Sequence, residues 1–469
     1  MPTEENLARQ NLLSHYGVSI AEYCGEGVLT LRNGKKVNCN FRAGQLASGH
    51  VLLLCDFSPP LSSCLTITAD KFEGMTSEGS RISGEVIAGI NYLPRDRLGI
   101  CMAFWLREMS VQMTKHDVEP LKARFGVTNF EFTGIQPSAD SSCLILPFSL
   151  QYAASAADLS IIPLSQYSSV IECVKTLRGV DITCEVLGGI PKDGGLTRLT
   201  EVVDDLCYLL SVARGTKVQW IYRDLYSKDD GRLLRAHYSR VTKPFCPLPV
   251  IDPRAKYRHE TKVFIEQAYP IYTEKREAWR LNRETIDAYL DAKVEVDYLQ
   301  MRAVKLAVAM EIIKSAFLEL LECPIAEHNI AVPQFKKLKP LLKEAIGEVL
   351  KAWETNKKLR SAVYGKLEEL NRVSFADILA RLCEFVQLEV EKQDLDLFIA
   401  CRNKLIHKGS FYCDCAKPEE RKKCRPLPSG EDEYFFLLNF CDKILLRLLG
   451  YSGSYVNWRT PGKPVRDVV

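Results

Sequence analysis

Short apolar runs punctuated by turn residues make roughly the first 245 residues read as mostly β, and beyond them the apolar pattern becomes helical almost to the end. VLTLR and KKVNCNF flank Asn33-Gly34, a pair that suits a type I′ hairpin because both central residues of that turn need φ > 0. Further strands are predicted at HVLLLCDF, LTITA, GEVIAGINYL, FEFTGI and CLILPFSL, punctuated by Gly, Pro, Ser and Asp. GLTRLTEVVDDLCYLLSVARG reads as a helix capped by Thr197, with Glu201 and Asp204 in its early turns. Strand patterns return at TKVQWIYRD and RLLRAHYSRV.

KPFCPLPVIDPRA then breaks the pattern with four prolines and predicts an exposed connection. Beyond it, Leu299, Ala303, Leu306, Met310, Ile313, Phe317 and Leu320 recur at steps of four and three, the seam of a long helix packed in a bundle. Other helices are predicted at LKPLLKEAIGEVLKAWE, at SFADILARLCEFVQLEV with Ser374 as cap, at DLDLFIACRNKLIH, and at EYFFLLNFCDKILLRLLG with Gly450 as its stop. The expected class is α+β and multidomain: a β-rich domain over residues 1–245, a linker and connecting helix over 246–290, and an all-α bundle over 291–469.

The 469 residues are 46% hydrophobic and 26% charged, enough for substantial cores. Net charge is only +3, so any electrostatic case for a nucleic-acid partner must rest on local clusters. Most of the 17 cysteines stand singly in apolar runs, which suits buried thiols in a reducing compartment. The polar, acidic start MPTEENLARQ lacks a secretory signal pattern. No run approaches the roughly 20 apolar residues of a membrane span. The expectation is a cytoplasmic protein without a membrane partner.

Of seven histidines, only His328 and His407 lie beyond residue 300. On a helical projection Leu397, Phe398, Cys401 and Leu405 cluster in one apolar arc. Asn403 and His407, four apart, share the side away from it, Arg402 falls between the faces, and Ile406 lies beside the polar pair. His407 therefore points to solvent, a partner helix or a second subunit, with Gly409 ending the helix behind it. Such residues suit phosphodiester chemistry. Arginine presents a planar fork of donors to phosphate, and histidine can take the proton of a ribose 2′-hydroxyl. Asn403 can orient the imidazole or bond the substrate backbone. An internal nucleophile makes metal activation of water unnecessary, selects RNA over DNA, and leaves 2′,3′-cyclic phosphate and 5′-hydroxyl ends. One helix supplies one histidine and one arginine, so a symmetric dimer, or a higher even-numbered oligomer, is expected to complete the cleft. The plainer alternative is a solvated helix end.

FYCDCAKPEERKKC places Cys413, Cys415 and Cys424 in a polar stretch after this helix. Two readings stand: a structural zinc ion held by these thiols, with Cys401, Cys441 or His407 as fourth ligand, or a loop of free cysteines. Lys404 and Lys408, beside the motif, and Arg421, Lys422 and Lys423, in the loop, are the expected RNA-backbone contacts. Lysine runs at 336–339 and 357–360 are read as solvated faces.

Arg402-Asn403-Lys404-Leu405-Ile406-His407 resembles the R-N-x-x-x-H motif of HEPN ribonucleases. LLRLLGYSGSYVNW resembles the end of ApeA-like HEPN domains, and KFEGMTSEGSRISG and FGVTNFEF resemble the accompanying N-terminal domain. The resemblance implies a HEPN-type bundle after a sensing or regulatory β-rich half, and a toxin-like ribonuclease of bacterial anti-phage defence by abortive infection. By family analogy it implies a transfer RNA target and a phage-derived trigger. Arg402 and His407 carry over as the catalytic pair, with Asn403 in support and no cofactor required. Such domains often add an acidic residue from an earlier helix; Glu311 is its candidate here, with a solvated helix face as the plainer reading. The alternative function is a non-catalytic HEPN-type module that binds RNA or protein.

Overall fold

The computed structural model describes residues 18–57, 68–90, 101–113, 119–132, 146–152, 155–253, 260–320, 329–352, 357–367, 369–460, 462 and 464–468. The chain divides into two compact units, Met1–Pro270 and Ile271–Val469. The class is α+β, with the strands concentrated in the first unit and the helices in the second. No helix among the described residues is long and apolar enough to cross a membrane.

The first unit holds β1 Ser19–Leu31, β2 Lys36–Leu46, β3 Val51–Asp56, β4 Ala69–Thr76, β5 Arg81–Ile90, β6 Cys101–Gln112, β7 Lys122–Thr128, β8 Leu146–Tyr152, β9 Ser155–Pro163, β10 Ile182–Gly189, β11 Gln219–Tyr226 and β12 Arg232–Tyr238. They form one sheet in the order β3-β2-β1-β4-β5-β6-β12-β11-β7-β10-β9-β8, and β3 pairs back onto β6 to close the first six strands into a barrel. One edge of β6 pairs with β5, and the other serves two partners: Cys101–Leu106 lies against β3, and Glu108–Gln112 lies against β12. The barrel interior is filled by alternate residues such as Leu29, Phe41, Ala43, Leu53, Phe72, Phe104 and Met109. Helices α1 Tyr167–Leu177 and α2 Gly195–Arg214 pack on the remaining strands.

Several local expectations change. The β1–β2 connection is Arg32–Lys35, and only Gly34 takes φ > 0 (+78°), so the turn is not the two-residue type I′ form. Asn33 keeps φ < 0 and uses its side-chain oxygen to accept from the Lys35 N–H at 3.0 Å. α2 starts at Gly195 after Gly194, and no side chain caps it, so Thr197 lies inside the helix. Phe130–Phe132 is not a strand: β7 ends at Thr128, and the Phe130 and Phe132 N–H groups donate to the side-chain oxygens of Thr183 and Tyr167. The proline-rich connection is packed rather than exposed. Phe245, Cys246, Leu248, Val250 and Ile251 are buried, and the Val250 and Ile251 N–H groups both reach the Ala213 carbonyl. Four prolines remove donors that would otherwise need partners, which lets irregular backbone lie against a core. Residues 65–67, 91–93, 133–135 and 143–145 of the expected strands, and His328, lie outside the described residues, as do the side chains of Lys357, Lys358 and Arg360.

Helix α3, Glu260–Lys275, spans the division between the units. The second unit continues with a π turn at Leu281–Thr285, then α4 Ile286–Lys293, α5 Leu299–Leu320, α6 Val332–Ala352, α7 Lys357–Gly365, α8 Phe375–Phe385, α9 Lys392–Lys408, the short α10 Tyr412–Cys415 and α11 Pro418–Lys423, α12 Gly430–Leu448, and a hairpin of β13 Ser454–Val456 and β14 Val465–Asp467. α5 is central: it packs on α4, α8, α9 and α12, and buries Ala303, Leu306, Met310, Ile313 and Phe317 along the predicted seam. Ser374 caps α8 by accepting from the Asp377 N–H at 3.1 Å. That helix stops at Phe385, shorter than the sequence pattern, where Gln387 turns to φ +56°. Gly450 takes φ +70° just after α12, as expected of a stop.

His237 on β12 is fully buried in the first unit. Its Nδ1 lies 3.2 Å from Gln45 Oε1, and its Nε2 lies 3.0 Å from Tyr23 Oη. The Gln45 amide nitrogen donates to the Gly49 carbonyl at 3.0 Å, leaving Oε1 as acceptor and placing the ring proton on Nδ1. Nε2 then accepts from the Tyr23 hydroxyl, and the ring is neutral. Burial, reinforced by Arg235 and Arg232, pushes its pKa down to about 3. Between that value and the ordinary histidine range near 6.5, only the unfolded chain takes the proton. The first unit should therefore lose stability as pH falls below ~6.5, by up to about 1.4 kcal/mol per pH unit. Urea unfolding of wild type and His237→Gln at pH 7 and pH 5 checks this: the wild type should lose more on acidification than the variant.

Candidate functional site

Helix α9 is fixed in rotation by its apolar arc. Leu397, Phe398, Cys401 and Leu405 are its buried residues, and the Phe398 ring stacks on Phe440 of α12 with centroids 4.4 Å apart. The opposite side is open. Asn403 and His407 are exposed, and Ile406 beside them is 38% exposed. Gly409 ends the helix with φ +64°, its N–H donating to the Leu405 carbonyl at 2.9 Å. His407 thus stands on the last turn of the helix.

Arg402 lies at the border of the two faces and is held from several sides. Its Nη2 donates to Glu311 Oε1 in an ion pair, and its Nη1 donates to Asn403 Oδ1 at 2.8 Å. The guanidinium also lies over the Phe375 ring, 4.8 Å from its centroid. Glu311 is not a free solvated carboxylate: its second oxygen accepts from Lys314 Nζ at 2.6 Å. The structure therefore joins Arg402, Asn403 and Glu311. His407 is five residues from Arg402, about 140° around the helix and ~7.5 Å along it. It has no partner among the described residues. Within one chain, Asn403 lies between the two expected catalytic groups.

The expected RNA contacts separate. Lys408 is exposed, as are Lys422 and Lys423 on α11. Lys404 is not on the open face: its side chain is only 12% exposed, and its ammonium pairs with Glu420 at 2.7 Å. Arg421 is exposed but spends its Nε on the Ala416 carbonyl at 3.1 Å. The stretch after Gly409 is not the open loop that its composition predicts. It folds into two short helices, and Glu433, fully buried, accepts the Tyr412 and Cys413 N–H groups at 2.9 and 3.0 Å.

That folding changes the zinc reading. Cys413 and Cys415 share one helical turn, and residues two apart point about 200° apart around a helix. Cys415 Sγ donates to the Phe411 carbonyl at 3.1 Å, and Cys413 Sγ to Asp414 Oδ1 at 3.6 Å. Burial raises the Cys413 thiol to about 12, with Glu433 adding to it, and burial raises Cys424 to about 11. Among the described residues no three His, Cys, Asp or Glu side chains stand together as a metal set.

Three contributors escaped sequence reasoning. Phe375 follows the Ser374 cap and had no motif of its own; Lys314 lies three residues from Glu311, a spacing that pairs opposite charges on a helix. Glu433 was hidden in the acidic first turn of α12.

Removing Glu311 should leave a half-buried guanidinium without its counter-charge. Glu311→Ala is expected to destabilise the second unit by about 1–3 kcal/mol, while Lys314→Met has a smaller effect; chemical unfolding of both variants provides the comparison. The chain matches no family model, and no curated protein or solved structure matches it.

Proposed function

We propose that this chain is a metal-independent endoribonuclease of the HEPN type, with His407 as general acid–base and Arg402 as the group that stabilises phosphate charge. The observation that carries the reading is an exposed imidazole on the last turn of α9, five residues along the same helix from an arginine whose guanidinium is clasped by Glu311 and Phe375. A guanidinium already oriented spends less free energy on ordering when phosphate arrives. His407 removes the 2′-hydroxyl proton, the 2′-oxygen attacks phosphorus, and the 5′-oxygen of the next nucleotide departs with a proton. Two α9 helices facing each other supply the second imidazole for that last transfer, with exposed Lys408 and the Lys422–Lys423 pair available to the RNA backbone. The proposed setting is cytoplasmic anti-phage defence by abortive infection, with transfer RNA as target and the β-rich unit as sensor of a phage-derived trigger. The family assignment, on which this setting depends, is proposed from the Arg402–His407 motif.

A second reading is favoured by one contact set. Glu311, Asn403 and Phe375 together engage Arg402 closely enough for it to serve packing alone. The chain would then be a binding module for RNA or protein.

Incubating the purified chain with total RNA in EDTA separates the two. The nuclease reading expects fragments with 2′,3′-cyclic phosphate ends, intact DNA, and a rate loss of about 10²–10⁴-fold in His407→Ala. Cleavage that needs added metal, or that is equal in both proteins, overturns it.

A further inference from the structure

At the other end of α9 the second unit carries an open cavity of about 500 Å³, within the range of small-molecule sites. Its wall on α12 is one helical stripe: Phe436, Asn439, Phe440 and Lys443, at steps of three, one and three. The β13 hairpin adds Tyr455 and the residues after it add Arg459, while Glu391 and Asp394 come from the start of α9. Thirteen residues of helix, about 20 Å, separate Asp394 from His407, so this cavity is distinct from the motif.

Its polar groups are incompletely used. Asn439 is 8% exposed; its Nδ2 reaches Tyr455 Oη at 3.3 Å, but its Oδ1 is buried with no partner. A buried amide oxygen left unpaired costs stability, and a ligand donor would remove that cost. Lys443 makes no hydrogen bond or ion pair among the described residues, and burial pushes its ammonium below the usual lysine range. Glu391 caps α9 without any side-chain bond to the first amides, so these donors also lack an intrahelical partner. Asp394 is committed to Arg459 at 3.3 Å, whereas Glu389 and Glu391 are exposed at the rim.

The charges choose the ligand. Three carboxylates stand against two cations, one of which is already paired. A polyanion such as a nucleotide meets net repulsion here. A small zwitterion does not: its carboxylate suits Lys443 and the α9 amides, and its ammonium suits Glu391 and Glu389. We infer that this cavity binds a free α-amino acid or short peptide, held between Lys443 and the acidic rim, over the Phe436 and Phe440 rings.

Binding here is independent of RNA cleavage and is read directly. The full chain is titrated calorimetrically with the free L-α-amino acids and glycyl dipeptides, with their 2-hydroxy-acid analogues, and with adenosine monophosphate. At least one zwitterion should bind with Kd below about 10 mM. Lys443→Met, which removes the carboxylate partner, and the rim substitution Glu391→Gln should each weaken it by about tenfold or more. The analogue lacking the ammonium should bind as poorly. No binding by any zwitterion, equal binding by adenosine monophosphate, or affinity unchanged in both folded variants overturns the inference.

Discussion

Helix α9 can present only what its packing leaves over. Phe398 against Phe440, with Leu397, Cys401 and Leu405 buried beside it, sets the rotation of the helix about its own axis. A rotation of one residue would carry Asn403 or Arg402 into the core and strip polar groups of water without partners. The same setting exposes His407 at the C-terminal turn and brings Asp394 to the cavity at the N-terminal turn. Both ends of one helix are thus positioned by a single apolar arc.

Charge is managed differently from apolar area. Arg402 sits at the boundary of the core, where an isolated guanidinium would be costly, and Glu311, Asn403 and Phe375 offset that cost together. Deeper in the same unit, Lys293 and Asp442 are both fully buried, 3.5 Å apart, and the Tyr289 hydroxyl donates to the same carboxylate. In the first unit His237 avoids the problem by remaining neutral between Tyr23 and Gln45. These polar interiors need satisfied partners, and they give each core a single arrangement.

Periodicity carried most of what was legible in the sequence. The α5 seam, the buried arc of α9, the Ser374 cap and the helix ends at Gly409 and Gly450 are local consequences of spacing and backbone freedom. Closure of the barrel was not legible, because the β3–β6 pairing joins residues about fifty apart through nothing but backbone bonds. The proline-rich connection misled because composition records the missing donors and not the buried Phe245 and Ile251. The spatial spacing of Cys413 and Cys415 depends on whether the chain is extended or helical, and Glu433, twenty residues on, accepts the first N–H groups of the short helix that holds them. Glu311 was singled out through family likeness, while its pairing with Arg402 and the role of Phe375 needed coordinates.

The central claim is that His407 moves a proton during RNA cleavage. Sequencing RNA 5′-hydroxyl ends from cells that express the chain, with the proposed trigger present, tests it most directly. The account predicts new ends at defined positions with the wild type and none with His407→Ala. Identical end profiles in the two strains would contradict it.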